Sequence, residues 1–305
     1  MKNIKIANTD LTSSNIIMGC MRINSLSLPE IDTLVKTAIN QGINFFDHAD
    51  KYGGGESETF FSKAIGMNNT IREKMIIQSK CCIRNGFYDA SKEYILSSVD
   101  GILKRLQIDY LDILLLHRPD ALIEPEEVAE AFEILHTSGK VKYFGVSNYN
   151  PMQIDLLKKY ISYPLVTNQL QYSVVHTPMT DSGMAVNMFI NQAIDRTGSI
   201  LDYCRLNDIT IQAWSPFQKG FFEGPFFLDS KYEKLNQALT TYGKQHGLDI
   251  TGAAIAWITR HPANMQVILG TTKPERLIEA CKGSDVPMTR PEWYGIYEAA
   301  GNMIP

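Results

Sequence analysis

Short runs of apolar residues alternate with longer amphipathic stretches along most of the chain. Eight of the short runs are nearly continuous in apolar residues instead of alternating with polar ones. Such runs are typical of parallel strands that are covered on both faces. The predicted strands are NIIMG (15–19), INFFD (43–47), MIIQSK (75–80), DILLLH (112–117), VKYFGVS (141–147), LVTNQ (165–169), ITIQAWS (209–215) and MQVILG (265–270).

The stretches between these strands carry recognisable signals of helix starts. Ser27 begins the string SLPE, which predicts a capping box with a proline in the first helical turn. Asn150 and Lys273 each stand directly before a proline, which is another signal of a helix N-terminus. The apolar residues of the segment 91–106 recur at helical spacing. Helices are therefore expected between the strands.

Strands that alternate with helices eight times predict one α/β domain, residues 1–305, folded as a (β/α)8 TIM barrel. A doubly wound open sheet is the rival fold, but no G-x-G-x-x-G motif stands between a strand and a helix, and the glycines at 53–55 have the wrong spacing. The stretches 178–197 and 217–227 break the alternation. Both are predicted to be long loops beyond strand ends, where barrel enzymes build substrate pockets.

Composition and charge narrow the class of partner. Of the 305 residues, 44% are hydrophobic and 20% are charged, which is enough to bury a large core. The net charge of −4 gives no electrostatic reason to expect nucleic acid or an anionic membrane as a partner. No apolar stretch approaches the roughly 18 residues of a membrane span, and the N-terminus has no features of a secretory signal. We expect a small-molecule partner; the oligomeric state stays open.

The cysteines indicate neither disulfides nor a metal site. Five cysteines are few and odd in number, which argues against a disulfide framework and favours the reducing cytoplasm as the location. Cys81 and Cys82 are adjacent, which is not the spacing of metal ligands. No H-x-H pattern or cluster of carboxylates occurs either, so no metal site is expected.

Four residues of compatible chemistry fall at the carboxyl ends of consecutive predicted strands. Asp47, Lys80 and His117 end the second, third and fourth strands, and Tyr52 follows five residues after Asp47. Each alone has a structural explanation as a turn, surface or core residue. A barrel brings the carboxyl ends of its strands together where active sites lie, so we expect the four side chains to converge.

The chemistry of the four residues is that of proton donation. A lysine ammonium beside Tyr52 is expected to lower the phenol pKa from its usual value of about 10, which would make the phenol a better acid. Asp47 would keep Lys80 charged and oriented, and His117 would bind the substrate oxygen. No side chain supplies a hydride, so that function falls to a cofactor.

An ordered set of sequence motifs in this chain resembles those of the aldo-keto reductase superfamily, and within it those of the bacterial YdhF-like oxidoreductases. The motifs cover nearly the whole chain and follow the order and spacing of the family. They are FFDHADKYGGGESE (45–58), SK (79–80), LLLHRPD (114–120), GKVKYFGVSN (139–148), NQLQYS (168–173), WSPF (214–217) and ILGTTKPERL (268–277).

The resemblance implies a barrel that binds NADPH or NADP+ in an extended conformation and reduces a carbonyl substrate. Asp47, Tyr52, Lys80 and His117 match the catalytic tetrad of the family, with Tyr52 as the general acid. Hydride would pass to the carbonyl carbon while Tyr52 protonates the carbonyl oxygen.

The resemblance also implies a set of cofactor-binding residues. By motif, three of them bind the nicotinamide carboxamide and one stacks on the nicotinamide ring. Others contact the pyrophosphate and the adenosine phosphate, and Glu279 and Ala280 lie near the adenine. They are Gly19, Met21, Ser147, Asn148, Gln169, Trp214, Ser215, Phe217, Gly220, Gly270, Thr271, Thr272, Lys273, Arg276, Glu279 and Ala280. The predicted helix start near Pro274 is an anion site in its own right, and its two nearby cations favour NADPH over NADH.

Two other functions stay open, and so does the substrate. A barrel lyase could use Lys80 as a Schiff-base nucleophile, although that chemistry has no use for a phosphate site. A non-catalytic protein that senses NADP(H) is the third possibility. The loops 118–124, 178–197 and 217–230 and the C-terminal stretch 284–305 are expected to line the substrate pocket, which would suit aldehydes, quinones, keto-esters or sugars.

Overall fold

Residues 1–220 and 223–304 are described by a computed structural model of the chain. Ten strands lie in this part, and all eight predicted strands are among them. The strands are β1 Asn3–Lys5, β2 Thr12–Ser14, β3 Ile16–Gly19, β4 Phe45–Asp47, β5 Ile76–Cys81, β6 Leu111–Leu116, β7 Val141–Ser147, β8 Leu165–Gln171, β9 Thr210–Trp214 and β10 Gln266–Leu269.

Strands β3 to β10 form a closed barrel in which every strand pairs in parallel with the next one along the chain. The ring closes where β10 pairs with β3, with Val267 opposite Ile16 and Leu269 opposite Met18. One irregularity of register lies between β7 and β8, near Phe144 and Val146. The prediction of a (β/α)8 TIM barrel is confirmed.

Helices follow the strands, and the predicted helix starts are confirmed at Ser27 and Asn150, where both halves of a capping box form. Ser91 caps the helix predicted over 91–106, and Lys273 precedes another helix. The helices are α1 Leu28–Asn40, α2 Glu56–Ile65, α3 Asn69–Arg72, α4 Lys92–Leu106, α5 Pro125–Thr137, α6 Pro151–Lys158, α7 Pro178–Met184, α8 Ile200–Leu206, α9 Glu233–His246, α10 Ile250–Thr259, α11 Pro274–Lys282 and α12 Arg290–Ala299.

The hairpin of β1 and β2 closes the barrel at the end opposite the strand carboxyl termini. Its chain continues from β2 directly into β3, and Ile4 and Ile6 are buried against residues of the barrel interior such as Ile17 and Phe45. A second and larger apolar layer separates the strands from the surrounding helices. The hairpin thus shields one end of the barrel from water, and the other end is left for a binding site.

The two stretches predicted as long loops have different outcomes. The stretch 178–197 contains the helix α7 and a short 3-10 turn, Asn191–Ala193, so it is not one continuous loop. The stretch 217–227 includes residues 221 and 222, which lie outside the described residues; its remaining part has a 3-10 turn from Phe226. Of the helices in the described ranges, none is long and apolar enough to cross a membrane.

Candidate active site

Alternation along the strands directs the predicted acid and amine into the barrel. Side chains two residues apart in a strand point the same way. Phe45 packs in the apolar interior with Ile76, so Asp47 and Lys80, two and four residues further along the same strands, also point inward. The polar residues therefore lie directly above the apolar filling, at the carboxyl ends of the strands.

The Lys80 ammonium is the centre of the site. The side chain has no exposed surface, and its Nζ lies 2.7 Å from Asp47 Oδ2, 2.8 Å from the carbonyl oxygen of His48 and 2.9 Å from the Tyr52 hydroxyl. The side chain of Asp47 is 2% exposed, so this is a buried ion pair. The predicted convergence of Asp47, Tyr52 and Lys80 is therefore present in the structure.

These contacts determine the direction of the hydrogen bond to Tyr52. A lysine ammonium has three donors and no acceptor. All three donors of Lys80 have an acceptor, so the Tyr52 oxygen accepts from Nζ. The proton of the Tyr52 hydroxyl is consequently left to point away from Lys80. This is the arrangement that a phenol needs in order to donate a proton to a third group.

The pKa of Tyr52 differs from the expectation. Burial raises the pKa of this phenol, Lys80 acts in the opposite direction, and the net result lies above the ordinary value. The effect of Lys80 has the expected sign, but sequence reasoning did not count the desolvation, which outweighs it. Burial alone would lower the pKa of Lys80, but Asp47 and Tyr52 hold it above its ordinary value, so Lys80 is charged.

His117 joins the other three residues at the same cavity. Its ring lies edge-on to Tyr52, with 5.8 Å between the ring centroids. Burial holds the pKa of His117 well below its ordinary value, and the charges of Lys80 and Arg118 lower it further. The imidazole is therefore neutral near pH 7. In this form one ring nitrogen carries a hydrogen and can donate a hydrogen bond to an oxygen.

A chain of glutamine amides supports the Asp47 carboxylate from inside the barrel. Gln78 Nε2 lies 2.7 Å and Gln169 Nε2 lies 3.2 Å from Asp47 Oδ1. Gln212 bonds to both glutamines and also to Gln266, which donates to Ser13 and Ser14 near the closed end. The carboxylate has hydrogen bonds on both oxygens, and these offset part of the cost of burying its charge.

The three glycines after Tyr52 are required by the turn that places it. Gly53, Gly54 and Gly55 all have positive φ, at 58°, 64° and 96°, in the region that side chains disfavour. The following helix is anchored by Glu58, whose buried carboxylate accepts from Ser79 and Arg105 at 2.7 Å each. The three glycines thus allow the chain to turn sharply from Tyr52 into α2.

A cavity of about 1040 Å3 opens over this cluster. Asp47, Tyr52 and His117 border it, and Lys80 lies behind them in the barrel wall. Most of the residues predicted to bind the cofactor border it as well. They are Gly19, Met21, Ser147, Asn148, Gln169, Trp214, Ser215, Phe217, Gly270, Thr271, Thr272, Arg276 and Ala280.

The middle of the cavity holds an amide beside an aromatic face. Asn148 has a φ of 63°, which asparagine tolerates better than most residues. Its side-chain oxygen accepts from Trp214 Nε1 at 3.2 Å, and its nitrogen donates to Ser147 Oγ at 2.8 Å. The arrangement holds both the indole ring and the amide in place, which suits a flat heteroaromatic ring with a carboxamide.

The far end of the cavity has the features of an anion site. The residues Thr271, Thr272 and Arg276 border it where β10 leads into α11. The free backbone N–H groups at a helix start attract anions, and a guanidinium binds phosphate through paired hydrogen bonds. The cavity therefore joins a proton donor, an aromatic amide pocket and an anion site.

Three residues that the resemblance implies for cofactor binding, and two of the predicted loops, lie outside the cavity lining. Among the described residues, Gly220, Lys273 and Glu279 do not border the cavity: Lys273 is exposed, and Glu279 pairs with Lys282 at 2.6 Å. No described residue of 178–197 or 284–305 borders it either. Sequence reasoning missed other lining residues, whose places depend on how distant loops fold over the barrel. They are Arg22, Lys51, Gly53, Ile83, Tyr88, Pro216, Thr251, Ile268 and Leu269. Arg118 from the predicted loop 118–124, and Gln218, Pro225 and Phe227 from the predicted loop 217–230, border the cavity as expected.

Comparison with known proteins identifies the family. The sequence model of the aldo/keto reductase family matches residues 15–299, which is most of the chain. The chain belongs to this family. It is therefore an oxidoreductase by family, and the predicted recognition is confirmed.

Three proteins similar to this aldo/keto reductase are bacterial and match over nearly their whole length. It is 35% identical to the uncharacterized oxidoreductase YcsN of Bacillus subtilis and 32% identical to the oxidoreductase YdhF of Escherichia coli, over 98% of each chain. It is 34% identical to a 6-dehydroglucose reductase of Agrobacterium fabrum over 97% of both chains. These matches support the predicted likeness to YdhF.

A solved structure agrees with the fold of this aldo/keto reductase. A thermostable aldo-keto reductase, crystallised with the inhibitor epalrestat, superposes with a TM-score of 0.77 over 98% of this chain and 100% of the other. Since the two sequences are 24% identical, the likeness concerns the fold alone.

Proposed function

We propose that this protein uses NADPH to reduce an aldehyde or a ketone to an alcohol, with Tyr52 as the general acid. The observation that carries the proposal is the hydrogen bond from Lys80 Nζ to the Tyr52 oxygen at the wall of the large cavity. It leaves the phenolic proton directed toward another acceptor. A carbonyl oxygen in the cavity is the acceptor that this geometry suits.

The four site residues have distinct roles in this proposal. Tyr52 donates its proton to the carbonyl oxygen. Lys80 donates a hydrogen bond to the phenolic oxygen and stabilises the phenolate that forms, while Asp47 balances the charge of Lys80. His117, neutral because it is buried, donates a hydrogen bond that orients the carbonyl oxygen. A bound NADPH supplies the hydride that the carbonyl carbon accepts.

The residues around the cavity fit NADPH. Trp214 and Asn148 offer a flat aromatic surface beside an amide, which suits a nicotinamide carboxamide. Arg276 and the start of α11 offer a cation and free N–H groups, which suit the adenosine 2′-phosphate that distinguishes NADPH from NADH. Both groups border the same cavity as Tyr52, so one extended ligand can reach all of them.

The contacts of Lys80 do not favour the lyase alternative. A Schiff-base lysine must lose its proton before it can attack a carbonyl. In this protein the Asp47 carboxylate and the Tyr52 phenol raise the pKa of Lys80, and the three donors of the ammonium are all occupied. The amine is therefore protonated. It is buried in the barrel wall, and Asp47, Tyr52 and His117 border the cavity in its place.

NADPH oxidation by the purified protein, followed against a panel of aldehydes and ketones, tests the proposed function. The panel includes 6-dehydroglucose, because a relative that is 34% identical is named 6-dehydroglucose reductase. We expect NADPH to quench the protein fluorescence on binding and to be consumed with at least one aldehyde. Binding of NADPH without turnover on any carbonyl would favour the sensing alternative, and trapping of substrate on Lys80 by borohydride would favour the lyase.

A further inference from the structure

Positive charge is concentrated where the cavity meets Tyr52. Lys51 directly precedes Tyr52, Arg118 directly follows His117, and Arg22 follows the end of β3; all three cations border the cavity. Arg22 and Lys51 are exposed, while Arg118 is partly buried. Three cationic residues that follow β3 or stand next to Tyr52 and His117 in the chain thus border the cavity of a protein whose net charge is −4.

The acidic residues of the lining do not balance this charge. Among the described residues that border the cavity, Asp47 is the only carboxylate, and it pairs with the Lys80 ammonium at 2.7 Å. The fourth cation of the lining, Arg276, belongs to α11, where the anion site for the cofactor is proposed. Since a cleft of one sign concentrates ligands of the other sign, the charge near Tyr52 favours an anionic substrate.

Arg118 is the cation with the closest electrostatic relation to the site. Its guanidinium carbon lies 5.9 Å from the centroid of the Trp214 ring, and its charge contributes to the lowered pKa of His117. Arg118 follows His117 in the chain, and both residues border the cavity that a carbonyl substrate would enter. A guanidinium in that position can bind a carboxylate through paired hydrogen bonds.

Several other side chains that border the cavity are apolar or aromatic. Ile83 and Tyr88 come from the connection between β5 and α4, and Phe217 and Phe227 come from the connection after β9. Their surfaces suit the carbon skeleton of a ligand and offer little to a hydroxyl-rich one. The charge and the walls together describe a ligand with an apolar body and one anionic end.

We propose that the substrate is an aldehyde or ketone that also bears a carboxylate, and that Arg118 binds this carboxylate while Tyr52 and His117 bind the carbonyl oxygen. The inference rests on the proposed function, because it specifies the substrate class of the same site. It makes Arg118 a determinant of specificity, with Arg22 and Lys51 attracting the anion from solution.

A pair of substrates with the same shape and different charge tests the inference. The aldehydes are 4-carboxybenzaldehyde and its uncharged carboxamide, 4-formylbenzamide, each reduced with saturating NADPH. The quantity measured is the ratio of kcat/KM for the acid to kcat/KM for the amide. Arg118→Gln removes the charge at similar size, Arg118→Lys keeps the charge but not the paired donors, and Arg290→Gln removes an exposed arginine that does not border the cavity.

We expect the natural protein and the Arg290→Gln variant to prefer the acid by roughly 10- to 100-fold, the effect of one charge-assisted contact. Arg118→Gln should bring the ratio close to one, and Arg118→Lys should give an intermediate ratio. A ratio near one in the natural protein, or a preference for the acid that survives in Arg118→Gln, would overturn the inference while the proposed reductase function stands. Failure to consume NADPH with either aldehyde or with any carbonyl of the panel would overturn the proposed function and this inference with it.

Discussion

Lys80 and Tyr52 are joined by a hydrogen bond of 2.9 Å in which the lysine ammonium donates and the phenolic oxygen accepts. The direction follows from the other two contacts of the ammonium, which occupy its remaining donors. A partly exposed phenol is thus bound to a wholly buried cation. The pair combines an acid that faces the cavity with a charge that stabilises its conjugate base.

The first prediction concerns the hydroxyl of Tyr52. Tyr52→Phe removes the proton donor and keeps the ring, so we expect kcat on a good aldehyde to fall by about two to four orders of magnitude. The affinity for NADPH, measured by fluorescence quenching, should change little. Tyr160→Phe, at a tyrosine that does not border the cavity, is the matched control and should keep kcat. A Tyr52→Phe enzyme with unchanged kcat would refute the assignment of the general acid.

The second prediction concerns the buried ion pair of Asp47 and Lys80. Lys80→Met leaves the Asp47 carboxylate without its cation, and the free energy of unfolding should fall by about 3–5 kcal/mol. Adding Asp47→Asn removes the stranded charge, so the double variant should recover a large part of this loss in urea unfolding. Neither Lys80→Met nor the double variant should reduce the carbonyl substrate at a measurable rate. If the double variant is no more stable than Lys80→Met, the loss does not come from the unpaired charge.

The third prediction concerns the anion site at the start of α11. Arg276→Ala should raise the Kd for NADPH by roughly 10- to 100-fold, because a charge-assisted contact to the 2′-phosphate is lost. The Kd for NADH, which lacks this phosphate, should rise only a few-fold. Lys273→Ala is the comparison, since Lys273 is a nearby cation that does not border the cavity, and its effect should be smaller. Equal losses for both cofactors in Arg276→Ala would remove the proposed 2′-phosphate contact.

The fourth prediction concerns pH and the buried His48. Burial and, to a smaller extent, the charge of Lys80 lower the pKa of His48 from 6.5 to about 3. Its two ring nitrogens have no hydrogen-bond partner among the described residues, and the centroids of the His48 and Phe61 rings are 4.6 Å apart. Below pH 6.5 the unfolded chain binds a proton at His48 that the folded protein does not. The contribution of His48 to stability is therefore complete above pH 6.5 and is lost as the pH falls toward 3.

Urea unfolding at pH 7 and pH 5 measures this effect. One histidine of this kind accounts for a loss of up to about 2 kcal/mol between the two values. His48→Leu should remove this part of the pH-dependent loss in the free energy of unfolding. The free energy of unfolding at pH 7 should change little, because the imidazole makes no hydrogen bond with a described residue. His136→Gln, at an exposed histidine of α5, is the control variant. The same pH dependence in His48→Leu and in the natural protein would refute the prediction.

Local patterns in the sequence were sufficient to predict the barrel. Runs such as DILLLH and LVTNQ are buried on both faces, so their apolar residues are continuous and visible without any knowledge of their neighbours. The capping boxes at Ser27 and Asn150 involve residues three positions apart, and a local signal of that kind is readable in the chain. The hairpin of β1 and β2 was missed because its strands are three residues long and gain their stability from the barrel end that they cover.

The sequence by itself determined the barrel, the positions of its strands and the alignment of Asp47, Lys80 and His117 at one end, since strand period and strand order are enough to place them. Only the tertiary structure decided which loops reach the cavity and how strongly each group is desolvated. It brought Tyr88 to the site, left 178–197 and Lys273 outside the cavity lining, and added a desolvation that outweighs the effect of Lys80 on the Tyr52 pKa. Desolvation and loop packing depend on atoms far apart in the chain, and no local pattern records them.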